Sequence, residues 1–390
     1  MTDIPSNQSS FGNGAPSAGS GGVDLRLVSP MEAVAALYSK DQEALADAIF
    51  SSLSQVVFGV GAPKPASLPQ RVMARLSYRL LKRTTVREKA GGEGDSIKVR
   101  NRLLERSQHP YARSLLASSS KETEALVEGG DPMNGPYMMI VPEIRAGAVL
   151  WDKLFFNSVQ GKDVQLRFIL ETKATYLEAK ARLDKGKNIR IKALAAGTGL
   201  SLILAYDQLI RDGYDSGRIF ARITDRDESN TAKSSRLLGK LAVKRGWRLG
   251  VGAEAGIGAE TEDIFHEAAL GIDKENPFDV VTAVGILEYL QGSTCETTEQ
   301  RHELEEMEEP ATALHLVARL CDMTRRDGSL IVNTYRPHSS TRILELFGKR
   351  FDYRHVMNMN ALLSGTQFSI PILVGSGHIY DVKIYKKEAS

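Results

Sequence analysis

Cysteine is scarce in this sequence, and long apolar runs are absent from it. The 390 residues include two cysteines, Cys295 and Cys321, which lack the paired spacing of a zinc site. This excludes a cysteine-based metal centre and is typical of a reducing compartment, so we expect a cytoplasmic protein. No apolar run approaches the ~18 residues that cross a bilayer, and the N-terminus lacks the pattern of a secretory signal.

A strong excess of either charge is also missing. The chain has 50 Lys and Arg against 48 Asp and Glu, a net charge of +2. Such a balance gives no overall field for nucleic acid or an acidic membrane. The basic segment 68–83 carries apolar residues at helical spacing, and we interpret it as the solvated side of an amphipathic helix. The histidines show no metal-ligand spacing. We therefore expect a small-molecule substrate and no metal, while the oligomeric state stays open.

Composition divides the chain into three regions. Residues 1–22 are rich in Ser, Gly, Asn and Pro, and we expect a disordered tail. Residues 23–187 are predicted to be mostly helical, beginning at Ser29-Pro30-Met31-Glu32, where Ser29 caps and Glu32 reaches back. We interpret this region as a lid over a substrate pocket. Residues 188–390 form the third region.

Strands alternate with helices in the third region. Five apolar segments predict strands at 189–195, 218–224, 247–251, 278–284 and 329–334. Alternation of this kind predicts a parallel sheet covered by helices on both faces. Two more segments, 369–374 and 378–385, lie close together and predict an antiparallel edge. The expected fold class is therefore α/β: a Rossmann-like doubly wound sheet, mostly parallel with an antiparallel C-terminal edge, preceded by a helical N-terminal domain.

Two positions at the ends of predicted strands point to a ligand. Gly197 and Gly199 follow the first strand and open a helix, where glycines allow a tight turn and close approach of a ligand. A purely structural turn is the alternative. Asp225 ends the second strand, where dinucleotide-type folds place a carboxylate that accepts hydrogen bonds from ribose hydroxyls. The alternative for Asp225 is a helix cap.

These motifs, in this order, resemble the class I S-adenosylmethionine methyltransferases. In that family a Gly turn follows strand one and an acidic residue follows strand two, here Asp225. The segment Glu260-Thr261-Glu262-Asp263-Ile264 is similar to the one that meets the adenine, and 278–290 resembles the fourth strand and its loop. The resemblance implies S-adenosylmethionine as cofactor and methyl transfer to a small molecule. It implies these cofactor contacts: Gly197, Gly199, Asp225, Glu260, Thr261, Gly285 and Leu287.

The end of the first strand departs from the family. An acidic residue that helps to hold the amino-acid end of the cofactor is usual there, but this chain has Ala195 and Ala196. Upstream, 155–167 is similar to an element that precedes the Gly turn in some bacterial methyltransferases. Arg167 would then pair with the cofactor carboxylate. Asn157 and Tyr176 are candidate catalytic residues on the substrate side, with surface or interhelical contacts as their alternatives, and Gln160 would lie near them.

Other functions stay open at this point. Some proteins of this fold attack the 3-amino-3-carboxypropyl arm of the cofactor and release methylthioadenosine, as nicotianamine synthases and azetidine-2-carboxylate-forming cyclases do. A binding module without turnover is a third hypothesis. A nicotinamide-dependent dehydrogenase is disfavoured, because Leu202 stands where the third glycine of that fingerprint would be.

Overall fold

The computed structural model describes most of the chain. The described residues are 23–59, 65–88, 102, 105–106, 134–252, 254–265, 273–290, 313–346, 353, 356–363, 366–369 and 371–388. The predicted tail 1–22 lies outside them. No helix in these ranges has the length and hydropathy required to cross a bilayer.

Helices dominate the part of the chain before residue 188. They are α1 (Pro30–Tyr38), α2 (Glu43–Gly59), α3 (Leu68–Glu88), α4 (Asn134–Met138), α5 (Pro142–Gly147), α6 (Leu150–Phe156) and α7 (Val159–Leu183). The predicted capping box of α1 is confirmed, because the Glu32 N–H donates to Ser29 Oγ and the Ser29 N–H donates to Glu32 Oε2. The hydroxyl of Ser158 caps α7 by accepting from the Gly161 N–H.

Strands and helices then alternate, as predicted. The strands are β1 (Ile189–Ala193), β2 (Ile219–Asp225), β3 (Gly256–Thr261), β4 (Phe278–Ala283), β5 (Thr324–Tyr335), β6 (Ile372–Ser376) and β7 (Tyr380–Lys386). The helices are α8 (Leu200–Arg211), α9 (Glu228–Arg245), α10 (Ala313–Met323), α11 (Ser339–Leu346) and α12 (Val356–Leu363).

The seven strands form one sheet in the order β3-β2-β1-β4-β5-β7-β6. Neighbours among β1 to β5 are parallel, whereas β7 pairs antiparallel with both β5 and β6. This arrangement confirms the predicted fold class, including the antiparallel C-terminal edge.

The predicted third strand was wrong. Residues 247–251 contribute only one bridge, from Leu249 to Ile257, and the strand that pairs with β2 is Gly256–Thr261. Glycines decide this, because a Cβ on Gly256 or Gly258 would overlap the carbonyl oxygen of Arg248 or Gly250. The apolar pattern of 247–251 predicts a strand there. The third strand instead forms at the glycine-rich segment 256–261, where the absence of side chains allows the backbones to approach closely.

The N-terminal helices and the sheet share a hydrophobic core. Its buried members include Leu37 of α1, Leu53 of α2, Phe168 of α7, Ile191 of β1 and Ile203 of α8. Helix α7 contacts β1, β4, β5 and β7, so it runs across the sheet. The parallel strands all end at one edge, and α8 and α9 begin there.

Candidate functional site

A cavity lies where the strand order reverses. From β1 the sheet extends through β2 and β3 on one side and through β4 and β5 on the other. Ligands of open α/β sheets bind beside the carboxyl ends of the strands at such a switch point. The cavity has a volume of about 390 Å³ and is lined by Ala195, Thr224, Asp225, Arg226, Glu262, Asp263, Ile264, Phe265, Gly285, Ile286 and Leu290. These residues follow or end β1, β2, β3 and β4.

The Gly turn connects β1 to α8 beside this cavity. Gly197 and Gly199 have φ angles of +57° and +60°, a left-handed conformation that favours glycine. A Cβ on Gly199 would overlap the side chain of Ile223 on β2, so the turn packs directly against the neighbouring strand. From the N-terminal helices, the Tyr38 hydroxyl donates to Thr198 Oγ1 over 2.9 Å and covers the turn.

Asp225 joins the second strand to the Gly turn. Its Oδ2 accepts from the Gly197 N–H at 2.7 Å, and its Oδ1 accepts from the Asp227 N–H at 2.9 Å. A carboxylate offers about four acceptor positions, so capacity remains for a ligand. Asp227, and not Asp225, caps α9, because Asp227 Oδ1 accepts from the Ser229 N–H.

Asn230, which contacts Asp225, is a candidate site residue that sequence reasoning missed. Its Nδ2 lies 3.5 Å from Asp225 Oδ1. Within the described part of the chain, its buried Oδ1 has no hydrogen-bond partner. A buried acceptor without a partner is costly, and the hydroxyl of a ligand would satisfy it. An Asn in the first turn of α9, five residues after Asp225, was the available signal.

The acidic segment after β3 reaches the cavity through its second half. Glu262, Asp263 and Ile264 line the cavity together with Phe265, whereas Glu260 and Thr261 belong to β3 and are not among the lining residues. Glu260 pairs with Arg222 at 3.0 Å, and the Thr261 hydroxyl lies 2.7 Å from that of Thr231.

A buried lysine holds Glu262 at the cavity wall. Lys192 Nζ lies 2.7 Å from Glu262 Oε2 and also pairs with Asp273. Burial raises the pKa of Glu262 despite Lys192.

The loop after β4 forms the opposite wall. Gly285 has a φ of +88°, and its N–H donates to Asn333 Oδ1 at 2.7 Å. Gly285 lines the cavity, whereas Leu287 is buried in the cluster of apolar residues that includes Val281 and Leu330. The loop therefore presents Gly285, Ile286 and Leu290 to the cavity and the side chain of Leu287 to the core.

Arg167 of α7 stands directly behind Gly285. A Cβ on Gly285 would lie 3.1 Å from both Nη1 and Nη2 of Arg167, and this tight contact adds to the left-handed φ in disfavouring a side chain here. Arg167 is 5% exposed, and its guanidinium lies 4.7 Å from the Tyr380 ring centroid and pairs with buried Glu288 at 3.0 Å. Among the described residues, none accepts a hydrogen bond from its buried Nε.

Glu171 follows Arg167 by one helical turn and was also missed by the sequence reasoning. It is buried, and its Oε1 accepts from the Ser201 hydroxyl at 2.9 Å. Burial raises the pKa of Glu171 to about 7, although Ser201 and Arg167 act in the opposite direction. Ser201 belongs to the first turn of α8, just beyond the Gly turn.

The two candidate catalytic residues do not line the cavity. Asn157 is exposed, and its carbonyl oxygen accepts from the Gln70 side chain at 2.7 Å. The Tyr176 hydroxyl donates to Asp212, which follows the C-terminal end of α8. Because the 12 residues of α8 span about 18 Å, Tyr176 lies near the edge of the sheet away from the Gly turn.

Comparison with known proteins finds similarity only at the level of structure. No protein-family model matches the sequence, and no curated protein matches it. Among solved structures, the CurJ carbon methyltransferase is 13% identical with a TM-score of 0.45, covering 93% of this chain and 100% of its own.

Two further structures contain SAH. They are the magnesium protoporphyrin IX methyltransferase ChlM from Synechocystis PCC 6803 and the trans-methyltransferase CalH, both 13% identical. Their TM-scores are 0.36 and 0.38, and they cover 58% and 87% of this chain and 87% and 88% of their own. At these identities and TM-scores, the fold assignment rests on the strand order and register of the chain itself.

Proposed function

We propose that this protein is an S-adenosylmethionine-dependent methyltransferase that acts on a small molecule. The observation that carries the proposal is the hydrogen bond from the Gly197 N–H to the Asp225 carboxylate, at a cavity on the switch point. It joins the two features by which this fold recognises an adenosyl ligand, a glycine turn and an acidic strand end.

The residues present fit the cofactor. Asp225 has acceptor capacity left, and the buried Asn230 Oδ1 beside it would accept from a hydroxyl, so the pair suits the two ribose hydroxyls. Ile264 and Phe265 offer an apolar wall for the adenine. Arg167, with its unsatisfied buried Nε, suits the carboxylate. When bound, the cofactor would supply a methyl group on a sulfonium.

The protein's part in such a reaction is positioning and exclusion of water. The acceptor supplies the nucleophile, so alignment with the methyl group and a dry site give most of the rate enhancement. We assign the described helices of region 23–187 to covering the site, since Tyr38 of α1 contacts the Gly turn at Thr198. Asn157 and Tyr176 receive no role here, because Asn157 contacts Gln70 and Tyr176 contacts Asp212, both away from the Gly turn and Asp225.

Calorimetry with S-adenosylmethionine tests the binding site. Asp225→Ala should weaken binding by about 1–3 kcal/mol, because charged hydrogen bonds to the ribose are lost. Asp227→Ala is the matched control: it removes the cap of α9 and about 1 kcal/mol of stability but should leave the affinity unchanged. Wild-type protein that fails to bind the cofactor, or equal affinities in the Asp225→Ala variant and the wild type, would refute the proposal.

The thioether product identifies the reaction. Incubation with S-adenosylmethionine and a panel of small acceptors should yield S-adenosylhomocysteine. Release of methylthioadenosine would show attack on the aminocarboxypropyl arm instead. Tight binding with neither product would indicate a module that binds the cofactor without turnover.

A further inference from the structure

Two oppositely charged side chains of α7 contact the segments that follow β1 and β4, next to the residues that line the cavity. Arg167 and Glu171 are four positions apart, which places them on one face of the helix with their Cβ atoms about 6 Å apart. Arg167 lies against Gly285 after β4, and Glu171 bonds to Ser201 after the Gly turn of β1. The pair therefore spans the switch point from the helical side.

Both groups have unused hydrogen-bonding capacity. Glu288 accepts a hydrogen bond from Nη1 of Arg167. No residue that the structure describes accepts from the buried Nε of Arg167. Glu171 accepts from Ser201, a neutral hydroxyl, although it is buried and carries a charge when ionised. A buried carboxylate without a close cationic donor is unfavourable, and an ammonium group would stabilise it.

The first strand offers no acid to take this role. β1 runs into Ala195 and Ala196, and the backbone of Ala196 is engaged with Thr224 and Gly199. An amino-acid end has an ammonium and a carboxylate a few ångströms apart. Glu171 and Arg167 present the complementary charges one helical turn apart.

We propose that Glu171, assisted by Ser201, binds the ammonium group of the cofactor's amino-acid arm. Helix α7 then supplies the acid that the end of strand one lacks. This inference rests on the proposed function, since it assigns a part of the same ligand.

Ionisation of Glu171 gives the inference a pH signature. The pKa of about 7 means that the group is mostly protonated at pH 5.5 and half ionised at pH 7.0. The charged or titratable groups around the pair are Arg167 on α7, Glu288 after β4, Tyr137 of α4 and Tyr380 of β7. None of these has an ordinary pKa between 5.5 and 7.0.

Affinity for S-adenosylmethionine should therefore rise about 15-fold from pH 5.5 to pH 7.0, because a tenfold change accompanies each pH unit well below the pKa. An α-amino group, with an ordinary pKa of about 7.7–8.0, stays mostly charged over this range.

The experiment compares two ligands on the full chain. Calorimetry at pH 5.5 and 7.0 uses S-adenosylmethionine and methylthioadenosine, which lacks the arm. Glu171→Gln should lower the affinity for S-adenosylmethionine at least tenfold at pH 7.0 and abolish the pH dependence of that affinity. The affinity for methylthioadenosine should not change. Glu178→Gln is the matched control on the same helix, since Glu178 pairs with Lys386 and Ser329 and should leave both affinities unchanged.

The outcomes separate this inference from its premise. If the wild type binds neither ligand, the proposed function fails. If it binds both and Glu171→Gln changes both equally or neither, the Glu171 assignment fails and the adenosyl site stands. Should Glu171→Gln not fold, the wild type still decides: at pH 6, binding of S-adenosylmethionine should release close to one proton, measured in buffers of different ionisation heat. Absence of release would overturn the inference.

Discussion

The two halves of helix α7 carry similar side chains in very different surroundings. Towards its N-terminus, Arg167 and Glu171 are buried at the carboxyl edge of the sheet. Towards its C-terminus, Tyr176, Lys180 and Asp184 lie near the opposite edge, where Lys180 pairs with Asp184 at 3.2 Å in solvent. Each half has a cation and an acid four residues apart. Burial, and not residue type, therefore distinguishes a candidate site from a solvated ion pair.

The environment also sets the sign of each pKa shift. Burial raises the pKa of Glu171, whereas a hydrogen bond from the Tyr214 hydroxyl lowers that of Asp184. One acid holds its proton more tightly in the folded state and the other loses it more easily. Variants at the two ends of α7 should therefore differ in how their stability depends on pH.

The largest expected difference in stability is between variants of the two cations, Arg167 and Lys180. Arg167→Met leaves Glu288 buried without its cation, so the free energy of unfolding should fall by about 3–5 kcal/mol. Denaturant unfolding measures this, with Lys180→Met as the control at the solvated end, where we expect no measurable change. Adding Glu288→Gln to Arg167→Met should recover part of the loss. Equal effects of the two single variants would remove the contrast.

Glu171, the acid at the buried end of α7, should have a smaller effect on stability, and this effect should depend on pH. Glu171 keeps its proton up to about pH 7 in the folded state but loses it near its ordinary value of 4.5 when unfolded. The folded state then binds more protons between these values, so its stability falls as pH rises through this window, by up to about 3 kcal/mol.

Urea unfolding at pH 4.5 and 7.5 tests this difference. The fall attributed to Glu171 should disappear in Glu171→Gln and persist in Asp184→Asn, because the pKa of Asp184 lies below the window. Identical pH profiles for the wild type and Glu171→Gln would contradict the raised pKa.

Tyr176 should give the smallest effect. Tyr176→Phe loses the hydrogen bond to Asp212, which is partly exposed, so stability should fall by at most about 1 kcal/mol. Affinity for S-adenosylmethionine, measured by calorimetry, should stay at the wild-type value. A drop of fivefold or more would place Tyr176 in the site and remove the distinction between the two ends.

Most of the sheet could be predicted from local patterns. β1, β2, β4 and β5 are apolar segments separated by helices, and the hairpin of β6 and β7 is close in sequence. β3 could not be predicted in this way, because Gly256 and Gly258 carry no apolar signal. Their place in the sheet depends on the approach of the backbone at Arg248 and Gly250.

The site was predictable where topology fixes it. Gly197 follows β1 and Asp225 ends the neighbouring parallel strand β2, so the fold itself brings them together. Asn230, Phe265 and Glu171 were not identified, because the direction in which each side chain points depends on packing. Glu260, Glu262 and Asp263 are acids of one segment, yet Glu262 and Asp263 line the cavity and Glu260 does not.

The amino-acid order alone determined the alternation of strands and helices, and with it the fold class and the edge where ligands bind. Only the tertiary structure decided which charges are buried, because desolvation depends on neighbours that are distant in sequence. Arg167 meets Glu288 across 121 residues, and Glu171 meets Ser201 across 30. Periodicity reports contacts within one helix or strand, whereas these pairs exist only once the sheet has formed.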